Sequence, residues 1–401
     1  MRILLINVVC GIRSTGRICT DIADGLIERG HDVKIAYGRG EVPAKYKKNS
    51  IKIGNGLDVC LHSFTSMISD RSGFGSKNST IQFIEWIKKF DPDIIHLHNL
   101  HGYYINIGIL FEYLRYSRIK VIWTLHDCWA FTGHAAFCEA AHCNRWKTGC
   151  DNCPKSRDYP QSLVDRSRGN WEVKRKLFGS LKEIQIVTPS YWLENLVKES
   201  FLNKYPVYTI YNGIDLSAFS YKDSNIKKQL GIENKRVILG VAAIWNRRKG
   251  LKDFIEVSKR IDENYCIILI GLTKKQKEKM PDNIIGIERT DSVYILAEYY
   301  SIAEFFFNPT YEDNFPTTNI EALACGTPVI TYNTGGSPEA IIDECGAVIQ
   351  KGDVDTFVAI SRNNSFNREK CIERGQFFNR LNMIENYLKV YMRIGMDEVF
   401  C

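Results

Sequence analysis

The sequence predicts an α/β protein made of two parallel-sheet domains in tandem, and three observations carry that prediction. Near-continuous apolar strands alternate with helices, the order of elements that opens the chain recurs past its midpoint, and turn residues interrupt the pattern between the two copies. The length of 401 residues is also more than one core usually holds, so two domains are expected.

The first copy reads as a strand over Arg2 to Val9, a loop with two glycines over Cys10 to Gly16, a helix over Ile18 to Arg29 ended by Gly30, and a strand over Asp32 to Tyr37. The second reads as a strand over Arg236 to Ile244, a loop to Gly250, a helix over Leu251 to Ile261 and a strand over Tyr265 to Ile270. Further strands fit at Asp93 to Leu97, Val121 to Leu125, Ile184 to Thr188, Tyr208 to Tyr211, Ile284 to Ile287, Glu304 to Phe307 and Pro328 to Thr331. Past Asn363 the pattern is helical to the end. The join falls between Pro206 and Asn234, where Asn212-Gly213 and a polar stretch supply turn chemistry. The expected organisation is a Rossmann-like domain over 1–211 with a Cys-rich loop at 134–154, a second Rossmann-like domain over 212–375, and a last helix over 376–401 that can cross back to the first domain. Ligands of open α/β sheets sit at the carboxyl ends of strands, so two facing sheets place a site in the cleft between them.

Bulk properties narrow the setting. No apolar run approaches the roughly 20 residues that span a bilayer, and the apolar start is too short for a signal segment, so a cytoplasmic protein is expected. Thirteen cysteines is an odd number in a long chain, and Cys266, Cys325 and Cys371 lie in apolar stretches as reduced, core-filling thiols. The net charge of +7 is uneven: residues 1–205 hold 29 Lys and Arg against 20 Asp and Glu, a balance of +9, which leaves −2 for the rest. A basic first half suits an anionic membrane surface, such as the inner face of a plasma membrane, or a lipid-linked diphosphate. A merely soluble surface explains it about as well, and no nucleic-acid partner is expected.

Candidate chemistry concentrates at predicted strand ends. Pro309 to Pro328 reads as a strand end, a polar loop and a short helix in which Pro316 occupies the first turn and Gly326 and Pro328 close the helix. Thr317, Thr318 and Glu321 share one face, where free N–H groups favour a phosphate and a carboxylate one turn along can bind sugar hydroxyls. A capped surface helix facing water is the plainer alternative. Arg247, Arg248 and Lys249 beside Gly250 follow a strand and can neutralise a leaving diphosphate without a metal; a solvated basic turn would read the same way. His126 ends another strand, with Asp127 beside it to orient or charge it, although a lone histidine is more often structural. His96, His98 and His101 cluster at a further strand end, to line an acceptor side or pack structurally. Cys138, Cys143, Cys150 and Cys153, at spacings x4, x6 and x2 with His134 and His142 interleaved, suggest a structural zinc loop, with free thiols or disulfides as the alternatives.

The segment Glu312-Asp313-Asn314-Phe315-Pro316-Thr317-Thr318-Asn319-Ile320-Glu321 closely resembles the donor-binding signature of family 4 glycosyltransferases, retaining enzymes of the GT-B fold. Two acidic residues there are separated by seven others, as Asp313 and Glu321 are. Gly335-Gly336-Ser337-Pro338-Glu339 matches the family's Gly-Gly-x-Pro-Glu turn, and the version present is similar to the capsule and exopolysaccharide branch. The resemblance implies that Glu321 holds the donor's ribose, that Asp313 or its neighbour Glu312 holds the transferred sugar, and that amides near Phe315 and Thr317 meet the diphosphate. It also implies that Gly11 and Gly16 lie in a loop approaching the donor phosphates and that His126 contacts the donor sugar, with His98, His101 and Asp127 towards the acceptor. Lys249 with Gly250 matches the family's phosphate-binding Lys-Gly; the arginine normally five residues earlier is Ile244 here, so its role passes to Arg247 or Arg248.

The implied activity is a retaining glycosyltransferase that uses a UDP- or GDP-sugar, needs no cofactor for catalysis, and acts on a saccharide or lipid-diphosphate-linked acceptor in cell-surface polysaccharide synthesis. A sugar-nucleotide epimerase of similar architecture and a non-catalytic nucleotide-sugar-binding scaffold are the rival readings.

Overall fold

The computed structural model describes residues 1–363 and 365–396. They divide into two compact units, residues 1–211 together with the described residues from Met383 onward, and residues 212–382.

The first unit is built on seven strands: β1 (Arg2–Asn7), β2 (Asp32–Tyr37), β3 (Ser50–Lys52), β4 (Ile94–Leu97), β5 (Lys120–Thr124), β6 (Gln185–Thr188) and β7 (Val207–Thr209). Their order is β3-β2-β1-β4-β5-β6-β7, with every pairing parallel. The period-2 geometry of β1 explains its unbroken apolar run. Leu4 and Ile6 enter a core with Trp123, Phe111 and Phe178 on one face. Ile3 and Leu5 enter a second core on the other, with Ile18, Ile22 and Leu26 from the helix Arg13–Glu28.

That second core is completed from the far end of the sequence. Met383, Ile384, Tyr387, Leu388 and Tyr391, all on the helix Arg380–Met396, are buried in it, and Arg29 pairs with Glu385. The helical pattern after Asn363 is broken rather than continuous: its described residues form two helices, Arg368–Phe377 and Arg380–Met396. The break at Phe378 and Asn379 has a backbone cause: Ile214 N–H donates to the Phe378 carbonyl and Arg380 N–H to the Ile214 carbonyl, each at 2.9 Å.

The second unit has six parallel strands, β8 (Arg236–Val241), β9 (Tyr265–Ile270), β10 (Ile284–Ile287), β11 (Phe305–Asn308), β12 (Val329–Tyr332) and β13 (Gly346–Ile349), in the order β10-β9-β8-β11-β12-β13. Two short edge strands, β3 and β13, add to those expected from sequence. In both sheets the strand order reverses beside the first strand, between β1 and β4 and between β8 and β11, and such switch points are where crevices open at strand carboxyl ends. The loops after β8 and β11 are the basic turn at Arg247 to Lys249 and the acidic loop at Glu312 and Asp313.

Candidate active site

In the second unit the two switch-point loops are bound to each other. Tyr311 N–H donates to the Arg248 carbonyl (2.8 Å), and the Arg248 guanidinium reaches the Glu312 carbonyl (2.7 Å). Lys249 Nζ lies 2.5 Å from Asp313 Oδ2. Burial works against the Asp313 charge, but Lys249 and Arg248 outweigh it and hold the carboxyl below its ordinary range. Asp313 is therefore the acidic residue aimed at the lysine, while Glu312 is buried and its carbonyl braces Arg248. Arg247 is exposed, and Ile244, 66% exposed, lies in the loop after β8, which ends at Val241 rather than at Ile244.

Two glycines make this approach possible. Gly250 has φ +72°, and a Cβ there would stand 2.3 Å from the Pro309 carbonyl oxygen; Gly335 has φ +55°, and a Cβ would stand 1.9 Å from the Asp313 carbonyl oxygen. Gly336 N–H then donates to the Asn314 carbonyl at 2.7 Å, so the Gly335-Gly336 turn closes over the acidic loop.

The helix that follows starts at Thr317, so Pro316 is its N-cap residue rather than part of its first turn. Pro316 has ψ 118°, the extended value that ends the loop before helical geometry begins. Thr317 and Thr318 are half-exposed at the N-terminus, where amides favour an anion. Phe315 is buried and packs its ring against Phe378. Glu321 is 2% exposed, and Tyr300 donates its hydroxyl to Glu321 Oε2 at 3.1 Å. The plainer reading of a water-facing helix thus fails for this carboxylate.

In the first unit His126 follows β5 and shares a hydrogen bond with His98 (His98 Nδ1 to His126 Nε2, 3.1 Å). Burial pushes the His126 imidazole down to about 4, partly opposed by the Asp127 charge, so it is neutral near pH 7. Of the two roles expected for Asp127, to orient or to charge His126, the second is the one its geometry offers: it hydrogen-bonds His101 Nε2 at 2.8 Å and acts on His126 through its charge. Geometry decides this, because the Asp127 Oδ1 is held by Trp129 N–H at the start of the next turn. The Tyr159 hydroxyl meets His101 Nδ1 at 3.1 Å. Gly11 and Gly16 form the turn after β1, closed by Gly11 N–H to the Gly16 carbonyl (3.1 Å), with Gly16 already inside the helix Arg13–Glu28.

Several partners of these residues, Tyr387 and Tyr391 among them, are not evident from sequence. His96 is buried between Tyr391 (hydroxyl to Nδ1, 2.6 Å) and Thr124 (Oγ1 to Nε2, 2.8 Å), and Tyr387 reaches Thr124 at 3.0 Å. Tyr387 and Tyr391 are four apart on an amphipathic helix, a visible spacing that nothing local connects to Thr124 and His96, 263 and 295 residues away. Tyr300 and Asp253, whose Oδ1 accepts the Tyr311 and Tyr332 hydroxyls at 2.9 Å each, were also missed.

Comparison with known proteins agrees with this geometry. Residues 15–218 match the profile of Glycosyltransferase Family 4 and residues 222–375 that of Glycosyl transferases group 1. A putative colanic acid biosynthesis glycosyl transferase, WcaC of Escherichia coli K12, is 25% identical over 384 residues, 90% of each chain. Among solved structures, sucrose-phosphate synthase from Thermosynechococcus elongatus superposes with a TM-score of 0.74 at 17% identity over 99% of both chains. Anabaena Alr3699/HepE in complex with UDP gives 0.65 at 14% identity, over 98% of this chain and 100% of that one. With both parallel-sheet units matched, the chain belongs to the family 4, group 1 glycosyltransferases and has their GT-B fold.

Proposed function

We propose that this glycosyltransferase moves a hexose from a UDP- or GDP-sugar to a saccharide or lipid-diphosphate-linked saccharide in cell-surface polysaccharide synthesis, with retention of anomeric configuration. The observation that carries the reading is the paired switch-point loops of the second unit: Lys249 on Asp313, the Gly335-Gly336 turn over them, and Glu321 buried one helical turn beyond. The colanic-acid relative supports the polysaccharide setting, and the UDP-bound structural neighbour supports the class of donor.

In the proposed reaction the bond from the anomeric carbon to the diphosphate oxygen breaks as the acceptor oxygen bonds to the same face. The acceptor's proton passes to the departing phosphate oxygen. Lys249 and Arg248 meet charge that grows on the diphosphate, without a metal ion, and this stabilisation is stronger in the transition state than in the ground state. Glu321 accepts ribose hydroxyls, Asp313 and His126 position the transferred sugar, and amides at Phe315, Thr317 and Thr318 complete the diphosphate site. A neutral His126 can both donate and accept a hydrogen bond to a sugar hydroxyl. Because Asp313 is engaged by Lys249, attack from the leaving-group face is favoured over a covalent glycosyl intermediate.

Thermal-shift screening against UDP, GDP, ADP and their sugars tests the donor class, since a ligand bound only by the folded state raises Tm. Incubation of the stabilising sugar nucleotide with the enzyme alone should give slow hydrolysis. Formation of an epimer, or full cellular function in His126→Ala and Lys249→Ala variants, would overturn the proposal.

A further inference from the structure

The loop that follows His126 carries a feature the transferase chemistry does not use. Cys138, Cys143, Cys150 and Cys153 are all free thiols, and together with His134 they line one small void of ≈ 10 Å³. That is about the space of one water-sized sphere.

His134 is the informative member. It is 2% exposed, its Nδ1 lies 2.5 Å from Asp70 Oδ1, and its Nε2 is buried with no hydrogen-bond partner. The Asp70 carboxylate accepts a hydrogen bond from Nδ1–H, so in the neutral ring Nε2 carries the lone pair, and a buried acceptor left without a partner is unfavourable. An imidazole whose other nitrogen is fixed by a carboxylate is the usual form of a metal-ligating histidine. Asp70 is itself held, by Arg166 N–H on Oδ2 at 2.8 Å and by the Asn170 side chain on its carbonyl. On the lining of the same void, Gly133 N–H donates to Cys150 Sγ at 3.2 Å and fixes the position of that sulfur. Cys150 and Cys153 have the x2 spacing of a chelating pair.

Among the described residues no group of three or more His, Cys, Asp or Glu side chains already forms a metal cage. A bound ion would therefore draw the thiols across the void. We infer that this loop binds one structural zinc ion, through His134 Nε2 and three thiolates that include Cys150 and Cys153, with either Cys138 or Cys143 as the third. Three thiol protons pass to solvent on binding, and no electron transfer is involved. The ion would tie the loop to Asp70 and to the start of the helix Ser167–Phe178, on the approach to Tyr159 and its contact with His101. The proposal is independent of the donor-sugar assignment.

The test is metal analysis of untagged protein purified without chelator, followed by exchange with cobalt. About one zinc per chain is expected, and the cobalt form should show thiolate-to-cobalt charge transfer with the strong visible bands of a tetrahedral site. Cys150→Ser and His134→Ala should lose the metal, as should one of Cys138→Ser and Cys143→Ser, while Cys60→Ser, at an exposed cysteine outside the loop, should keep it. Because loop variants can fail to fold, the wild-type protein supplies a second measurement: a mercurial titration should release zinc in step with thiol modification. Less than about half an equivalent of zinc together with no charge-transfer band on cobalt addition would overturn the proposal, as would a Cys150→Ser/Cys153→Ser double variant that keeps its zinc.

Discussion

Lys249 and Asp313, 64 residues apart in sequence, meet as an ion pair at 2.5 Å between the loops that follow two adjacent strands. A cation so placed can serve either the carboxylate or a phosphate. Lys249→Ala should therefore lower kcat by about 10²–10³-fold, as removal of one transition-state donor does, with little change in Tm. Asp313→Asn should lower kcat more than Glu312→Gln does. A Glu312 variant as impaired in turnover, yet fully folded, would exchange the roles of the two acids.

Glu321 and its Tyr300 partner should separate donor binding from turnover. Glu321→Ala is expected to raise KM for the sugar nucleotide by at least about tenfold, the loss of a charge-assisted hydrogen bond. Tyr300→Phe, which removes one hydrogen bond from the carboxylate without removing the carboxylate, should raise KM only a few-fold. Calorimetry with the free nucleoside diphosphate checks both, and unchanged affinity in Glu321→Ala would remove Glu321 from the site.

Gly335→Ala is expected to cost about 1–3 kcal/mol of stability or displace the acidic loop, because its φ of +55° and the Asp313 carbonyl leave no room for a methyl group. Urea unfolding measures the first effect and transferase activity the second. Wild-type values for both would mean that the turn relaxes freely.

Acid should weaken the first unit before it affects the carboxylates. Burial holds His62 and His126 at about 4 and His96 at about 3, against an ordinary imidazole value near 6.5. The unfolded chain binds more protons across that interval, so the stability these groups supply is fully present above pH 6.5 and is lost as pH falls towards 3. Chemical denaturation midpoints should decline steadily over this range. His96→Gln should flatten the slope, and a profile flat from pH 7 to pH 4 would contradict the buried neutral histidines.

Tyr391→Phe removes one hydrogen bond to His96 and should destabilise the protein by about 1 kcal/mol while sparing the donor affinity of the second unit. Differential scanning calorimetry with and without the nucleotide distinguishes this from a general loss of fold.

Legibility in the sequence followed how local each signal was. The extent of β9 could be read because both its faces are covered, giving an unbroken apolar run, while those of β2 and β10 rested on the turn residues that flank them. The acidic loop and Lys249 could be read because they lie in short, dense motifs that follow strand ends. Tyr300, Asp253, Tyr387 and Tyr391 could not, since each acts on a partner brought near only by the sheet order. Asp127 shows the same limit in reverse: adjacency to His126 suggested a pair, yet the backbone turn sends its carboxylate to His101. The short edge strands β3 and β13 escaped notice because three- or four-residue segments with partly exposed faces carry little periodicity.

The return of Arg380–Met396 to the first unit has a consequence for synthesis. Residues 212–382 are contiguous and can fold as soon as they leave the ribosome, whereas one face of the first sheet lacks part of its cover until Tyr387 and Tyr391 have been made. The half of the chain translated first is thus the half finished last. A chain that ends at residue 382 would join a second unit to a first unit whose Ile3 and Leu5 core is only partly covered and whose His96 lacks Tyr391, a form that chaperones and proteases can recognise.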